Sequence, residues 1–242
     1  KSTIFGFFRY TLLTQALSIT VPGRIGEISM IYFYKKEKIH LGKGTALFLL
    51  DKSINLGFLC ILGLVGLMPF VGIQDFLKIV GLLAIGGTIV LFFLFSKRGR
   101  DFLKVRLLKK HSANFQGFGN TLRSFLQKQK MALALDLLLT VIRWMLAAFI
   151  LQRLFTSFGT EVPMATILVT NAIVFLVSLV PLTVQGIGLR ETAAVVLYGF
   201  QGVPAAATAS AYLSYLIIMT IYTVGLATIL AKGDFRGKVE KD

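Results

Sequence analysis

The chain has 242 residues, of which 55% are hydrophobic and only 15% are charged; this composition excludes an intrinsically disordered protein and argues against a water-soluble globular domain. Its 26 lysines and arginines outnumber its 11 acidic residues and give a formal net charge of +15, which in so apolar a chain predicts a membrane protein whose basic excess follows its topology. The single Cys60 excludes a disulfide framework and a thiolate metal cluster. Because the chain starts at Lys1 rather than at a methionine, we expect a fragment or a processed product.

Six stretches are apolar and long enough to cross a bilayer as an α-helix, which takes about 20 residues. They lie near residues 3–21, 44–69, 76–96, 131–155, 163–181 and 205–231. Two shorter stretches, about 24–34 and 189–200, each follow a Gly-rich break and are too short to cross alone. We therefore predict an all-α integral membrane protein, a polytopic helical bundle that forms a single membrane domain over residues 1–242.

The basic residues indicate which loops face the cytoplasm. Segment 35–43 carries four lysines against one glutamate, and segment 97–130 carries ten basic residues against Asp101 alone. Both loops are predicted to be cytoplasmic, and 97–130 is expected to contact anionic lipid rather than nucleic acid, because its aromatic residues are few and spread apart. If both short stretches cross as broken helices, the chain has eight crossings with both ends inside.

Two breaks share one pattern of residues. The first is segment 22–27 (PGRIGE), and the second is segment 181–191 (PLTVQGIGLRE). Each has a proline at the end of an apolar helix, two glycines, an arginine and a glutamate, followed by a short helix. The topology places the two copies in opposite orientations, which predicts two inverted repeats. Repeat 1 spans 1–69 with its broken or re-entrant helix near 22–34, and repeat 2 spans 163–231 with its own near 181–200.

A helix that begins inside a membrane presents free N–H groups and a positive dipole end, which attract phosphate. An arginine in the first turn adds a charge and a bidentate donor. The predicted lipid phosphate-binding residues are Arg24, Arg190, Gly23, Gly26, Gly186 and Gly188. For each arginine an alternative stays open, namely a structural ion pair between helices.

Other polar residues are expected to support this site. Glu27 can face Arg24 on a helix and hold it in position. Glu191 points away from its neighbour Arg190, so we expect it to pair elsewhere, for example with another span. Five more lie in or beside the spans, as structural braces or as the lining of a polar path: Asp51, Lys52, Asn55, Asp136 and Arg143. No catalytic triad, nucleotide-binding loop or metal-ligand spacing is found, so no catalytic residue, cofactor or metal is expected.

At these motifs the sequence resembles the transmembrane (flippase) region of the lysylphosphatidylglycerol synthase/flippase family and its stand-alone bacterial and archaeal relatives. The resemblance rests on 22–27 and 181–191 and covers about residues 5–230. The family tends to have an acidic-basic pair with a further acid three residues on. Here Asp51 and Lys52 match the pair, whereas Asn55 takes the place of the second acid.

The resemblance implies a multi-pass protein of the cell (plasma) membrane of a bacterium or archaeon. It implies lipid transport: a flippase-like protein that binds and translocates a phosphate-bearing lipid, either aminoacyl-phosphatidylglycerol or a related envelope or isoprenoid lipid. The implied partner is an anionic or aminoacylated phospholipid, and a lipid-synthase partner and a homo-oligomer stay open. No segment is long and polar enough for the aminoacyl-transferase domain, so that activity is not expected. The alternatives are a membrane-embedded enzyme, with Glu27 or Glu191 as acid or base, and a scaffold in lipid or glycolipid synthesis.

Overall fold

The computed structural model describes residues 4–20, 26–68, 70–96, 98, 118–179, 183 and 186–239. In these ranges all regular structure is helical, which confirms the predicted all-α class. The α-helices are α1 (Ile4–Thr20), α2 (Ser29–Lys36), α3 (Leu41–Leu67), α4 (Ile73–Phe95), α5 (Phe118–Lys128), α6 (Lys130–Ser157), α7 (Met164–Ser178), α8 (Leu189–Gly199) and α9 (Ala205–Val239). A helix lies at each of the six predicted spans and at both predicted short stretches.

Within the described residues, three helices are long and apolar enough to cross a membrane: Leu41–Leu67, Lys130–Ser157 and Ala205–Ile229. Only 17%, 17% and 22% of their most apolar windows is buried inside the protein. Large side chains such as Ile61 and Ile221 are 65% and 68% exposed. A surface this apolar is unfavourable in water and is covered by lipid in a bilayer. The remaining spans and the number of crossings stay predictions.

The chain forms two compact units, one of residues 1–33 and 144–242 and the other of residues 34–143. The first unit contains both helix breaks. Its core lies where the second half of α6 meets α7, α8 and α9, and nearly every side chain in it is fully buried. The core residues are Ala148, Leu151, Phe155, Val162, Ile167, Val174, Ala194, Tyr198, Ala211, Tyr212 and Tyr215.

In the second unit α5 packs against α3 and α4. Its apolar residues recur at helical spacing, and Leu122 among them is only 2% exposed, whereas Arg123 and Lys128 are exposed. The segment 97–130, which we predicted as a basic loop, therefore contains a helix at its C-terminal end. An amphipathic helix forms there because its apolar stripe has α3 and α4 to pack against.

On either side of the first break, α2 runs back along α1. A Cβ built on Gly26 would lie 2.5 Å from the Cα of Ser18, so the two backbones touch. One turn earlier in α1, the Ser29 hydroxyl donates to the Thr14 hydroxyl at 3.3 Å. The Tyr10 ring then stacks on Phe33 at 4.8 Å. Along this series of contacts the residue numbers fall in α1 and rise in α2, so the two helices are antiparallel.

The second break has the same construction. A Cβ on Gly186 would lie 2.7 Å from the Cβ of Ser178 at the end of α7. Further from the turn, Gln201 Nε2 donates to the Thr170 hydroxyl at 3.0 Å. The segment that begins at α8 therefore runs back along α7, and the two helices are in contact.

In both hairpins a serine lies in the last turn of the first helix, and a glycine packs on it eight residues later. Each serine hydroxyl also donates to the backbone carbonyl three residues before it, at 3.2 Å for Ser18 and 2.6 Å for Ser178. This correspondence differs from the one we drew between the prolines, because Pro22 follows its serine by four residues and Pro181 follows its own by three. The matched geometry is consistent with an internal repeat, whose inversion stays a prediction.

Replacing Gly26 or Gly186 with alanine is expected to lower the unfolding midpoint of the purified protein in detergent. The new methyl has no room beside the serine, and overpacking of this kind costs about 1–3 kcal/mol. At Gly186, where φ is 79°, a left-handed backbone adds about 1–2 kcal/mol. The matched control is Gly225→Ala in α9, where the methyl would meet nothing within 4 Å. Circular dichroism melts measure all three, and a turn variant as stable as the control would contradict the close packing.

Candidate functional site

The structure describes four of the six residues predicted to bind phosphate: Arg190, Gly26, Gly186 and Gly188. Arg24 and Gly23 lie outside the described residues. The seven supporting polar residues are all described. Glu27 and Glu191 lie in the first unit with Arg190, whereas the other five lie in the second unit.

Helix α8 begins at a turn that requires glycine. Gly186 and Gly188 have φ values of 79° and 84°, in the left-handed region that residues with a Cβ avoid. Gly188 is the N-cap residue, and its carbonyl accepts the N–H of Thr192 at 2.9 Å as the first bond of the helix. The two glycines therefore set where α8 starts and place Arg190 in its first turn.

The carboxylate of Glu191 caps the same helix. Its Oε2 accepts the backbone N–H of Gly188 at 2.7 Å, which is the acidic half of a capping box. We expected Glu191 to pair elsewhere than with Arg190, for example with another span. It pairs within its own helix, because an acid at this position reaches the N-cap more easily than a separate helix. Its negative charge offsets part of the helix dipole. Attraction of an anion to this helix start therefore depends mainly on Arg190.

Arg190 lies against two tyrosine rings of α9. Its guanidinium carbon Cζ is 5.2 Å from the ring centre of Tyr215 and 5.5 Å from that of Tyr212. Both distances are within the cation–π range, where a contact contributes about 0.5–2 kcal/mol. Its Nε is buried without a hydrogen-bond partner, and no acidic side chain in the described ranges forms a salt bridge with it. The guanidinium thus lies on neutral rings and has no ion-pair partner within the described residues.

Tyr212 is fixed from two sides. Its hydroxyl donates to Oδ1 of Asn171 in α7 at 3.3 Å. The ring of Tyr198 in α8 packs against it at 6.1 Å. Tyr212 and Asn171 are 1% and 2% exposed. The face that Tyr212 offers to Arg190 is therefore part of the rigid core.

Tyr212, Tyr215 and Asn171 were not among the predicted site residues, since tyrosines in an apolar span are usually packing residues. Two signals point to them in retrospect. The tyrosines are three residues apart, which places them on one face of α9 in a segment without charges. Asn171 is a lone amide in an apolar helix, where polar side chains commonly form bonds between helices.

The first motif is described only from Gly26 onward. Gly26 lies on Ser18, and Glu27 follows in a short 3₁₀ turn with its side chain half-buried. The predicted contact between Glu27 and Arg24 stays a prediction.

In the second unit the remaining supporting residues form one polar cluster. Arg143 Nη2 in α6 donates to Oδ1 of Asn55 in α3 at 2.6 Å. Lys52 Nζ lies 3.5 Å from Asp51 Oδ2. Asp136 is close enough to Asp51 and Arg143 to interact electrostatically with both. Two acids and two bases leave no net charge, so of the two alternatives we drew, the cluster favours a brace between helices over a polar path.

Replacing Asn55 with alanine is expected to lower the unfolding midpoint in detergent, because the guanidinium of Arg143 loses a short acceptor. Bonds between membrane helices contribute about 0.6–1.7 kcal/mol, which sets the expected loss. Asn55→Asp supplies an acceptor of similar shape and should keep the midpoint near that of the wild type. Ser53→Ala, at an exposed position of α3, is the control. A loss in the aspartate variant as large as in the alanine variant would contradict the assigned bond.

Comparison with protein families matches residues 1–227 to the family described as the lysylphosphatidylglycerol synthase TM region. No curated protein and no solved structure matches the chain. The family match includes both hairpins and the polar cluster of the second unit, and it confirms the resemblance drawn from the two motifs. Together with the long apolar helices it supports a multi-pass membrane protein related to lipid metabolism. The chain belongs to the lysylphosphatidylglycerol synthase transmembrane-region family.

Proposed function

We propose that the protein binds the phosphate of a membrane lipid at the start of α8 and moves that lipid between the two leaflets. One observation carries the proposal: Arg190 is held by two tyrosine rings instead of a carboxylate. A charge in an apolar chain is costly and marks a functional site by default. A lipid phosphate would supply both the missing negative charge and oxygen acceptors for the guanidinium.

The surrounding backbone fits the same ligand. The first turn of α8 directs N–H groups toward its N-terminal end, and glycines there let a phosphate approach the chain closely. Glu191 occupies the N–H of Gly188 and reduces the dipole, so the helix start by itself is a weak anion site. The combination of backbone donors with Arg190 favours a lipid that carries a phosphate ester over a lipid without an anionic group.

The two hairpins suggest how a bound lipid would move. Helix α9 contacts both α1 and α8, and therefore touches an element of each proposed repeat. In transporters with inverted repeats, one repeat rocks against the other around a site near the midplane. We propose that the headgroup passes the two helix breaks while the acyl chains stay in the surrounding lipid. The basic segments 35–43 and 97–130 would mark the cytoplasmic side of the plasma membrane.

The substrate class follows the family and the site together. Within a lysylphosphatidylglycerol-related family, the ligand we propose is an anionic or aminoacylated phospholipid, or another lipid with a phosphate ester. The proposal contains no covalent step, since the carboxylate of Glu191 is already bound to its own helix cap.

Arg190→Ala is expected to slow transport of a labelled phosphatidylglycerol in proteoliposomes by about tenfold or more. The reason is that hydrogen bonds to a charged group contribute about 1.5–3 kcal/mol. Arg24→Ala is expected to act in the same direction. The matched control is Arg153→Ala, which removes an exposed arginine of the same unit that also lies on a ring, 4.9 Å from Phe149.

Leaflet exchange is read by quenching of the label in the outer leaflet, with unfolding midpoints recorded for every variant. Wild-type transport rates in well-folded Arg190→Ala and Arg24→Ala proteins would overturn the assigned role of the arginines. If purified lipid instead gains or loses a covalent group by mass spectrometry, the membrane-embedded enzyme replaces transport as the function.

A further inference from the structure

We infer that Tyr212 is a positioning residue for Arg190: its ring face holds the guanidinium ready for an anionic headgroup without neutralising it, and Asn171 fixes the ring. The inference rests on the proposed function, since Arg190 is the group assigned there to the lipid phosphate. It adds three points to that function: which side chain orients the arginine, which residue anchors that side chain, and why the arginine is oriented by a ring and not by a carboxylate.

An arginine needs such a partner because its side chain carries about 2 kcal/mol of rotamer entropy. A carboxylate would orient the guanidinium well, but it would occupy the same N–H groups that a phosphate needs. An aromatic ring attracts the cation through its face and accepts no N–H bond in the guanidinium plane. Contacts of 5.2 and 5.5 Å with Tyr215 and Tyr212 therefore orient Arg190 and leave its donors available to a ligand.

The anchor of Tyr212 distinguishes it from an ordinary core tyrosine. Its hydroxyl reaches across to Asn171 in α7 at 3.3 Å, and both side chains are almost completely buried. A buried hydroxyl–amide pair costs stability if either partner is lost, so it holds the ring in one orientation. The series Asn171, Tyr212, Arg190 links three helices, α7, α9 and α8, at the point where α8 begins.

This arrangement predicts a graded effect of substitutions. Tyr212→Phe keeps the ring face and loses only the anchor. Tyr212→Leu fills similar apolar space but removes the face that holds Arg190. If Tyr212 acts through Arg190, neither change should matter once Arg190 is gone, because there is no guanidinium left to orient. A purely structural role would instead weaken binding by the same factor in both backgrounds.

The test is a double-mutant cycle on the affinity for dihexanoyl-phosphatidylglycerol, titrated into the purified full chain in detergent by calorimetry. The variants are Arg190→Ala, Tyr212→Leu, Tyr212→Phe and the combinations of each tyrosine change with Arg190→Ala. Tyr222→Leu is the matched control, because Tyr222 lies on the same helix with 56% of its surface exposed. Inorganic phosphate is titrated in a second series to distinguish binding of a lipid headgroup from binding of free phosphate. The double-mutant cycle is evaluated with whichever of the two probes binds the wild type.

We expect Tyr212→Leu to weaken binding about five- to tenfold and Tyr212→Phe about twofold, with Tyr222→Leu unchanged. In the Arg190→Ala background both tyrosine changes should have no further effect. If Tyr212→Leu does not fold, Tyr212→Phe and its double variant decide the question by the same criterion.

Two failures are distinguishable. Unchanged affinity in Arg190→Ala, or no binding of either probe to the wild type, overturns the proposed function, and the positioning role falls with it. If Arg190→Ala weakens binding but the folded Tyr212 variants bind like the wild type, the positioning role is overturned and the proposed function stands. The positioning role is also overturned if the Tyr212 substitutions weaken binding by the same factor in the Arg190→Ala background as in the wild type.

Discussion

Each hairpin depends on a contact that leaves no space for a Cβ, between a serine in the last turn of one helix and the glycine eight residues later. If the chain reverses within the membrane, as predicted from the sequence, its backbone polar groups need partners from the protein itself, because lipid supplies none. The serine hydroxyl of each hairpin donates to the backbone carbonyl three residues before it, that of Gln15 in α1 and that of Phe175 in α7. The glycine then lets the returning backbone lie directly on the helix end. At the second break, these contacts determine where α8 begins and hence where Arg190 lies.

The position of Arg190 has consequences for α9. Because α8 starts beside Ser178, its first turn faces the part of α9 that carries Tyr212 and Tyr215. The same helix also contacts α1. One long apolar helix thus provides packing for the core, ring faces for the arginine and a common neighbour for both hairpins. The part of α9 before Lys232 carries no charged residue, which suits all three roles, since a carboxylate beside Tyr212 and Tyr215 would take the guanidinium as an ion pair.

The helices could be predicted from sequence because they depend on local features, namely long apolar runs separated by segments that contain prolines and glycines. The contact that the two hairpins share could not be predicted from sequence. Proline is the residue that marks each break in the sequence, whereas the packing contact is made by serine and glycine. Tyr212 and Asn171 could not be predicted as site residues for a related reason. Neither residue type is unusual in a membrane helix, and their importance arises from a contact between helices 41 residues apart in the chain. Glu191 shows the opposite case, in which a local capping rule gives a better account than the long-range pairing we expected.

Two arginines of the chain illustrate how a charge in an apolar protein reveals its role. Arg143 donates to an amide, and the charges around it cancel, with Asp51 and Asp136 matching Lys52 and Arg143 itself. Such a group gains little from an external anion, because its surroundings already balance it. Arg190 instead lies on two ring faces and forms no salt bridge within the described residues, and its Nε is buried without an acceptor. An anion would relieve that imbalance, so the partner of an arginine, more than its presence in a span, separates a brace from a binding site.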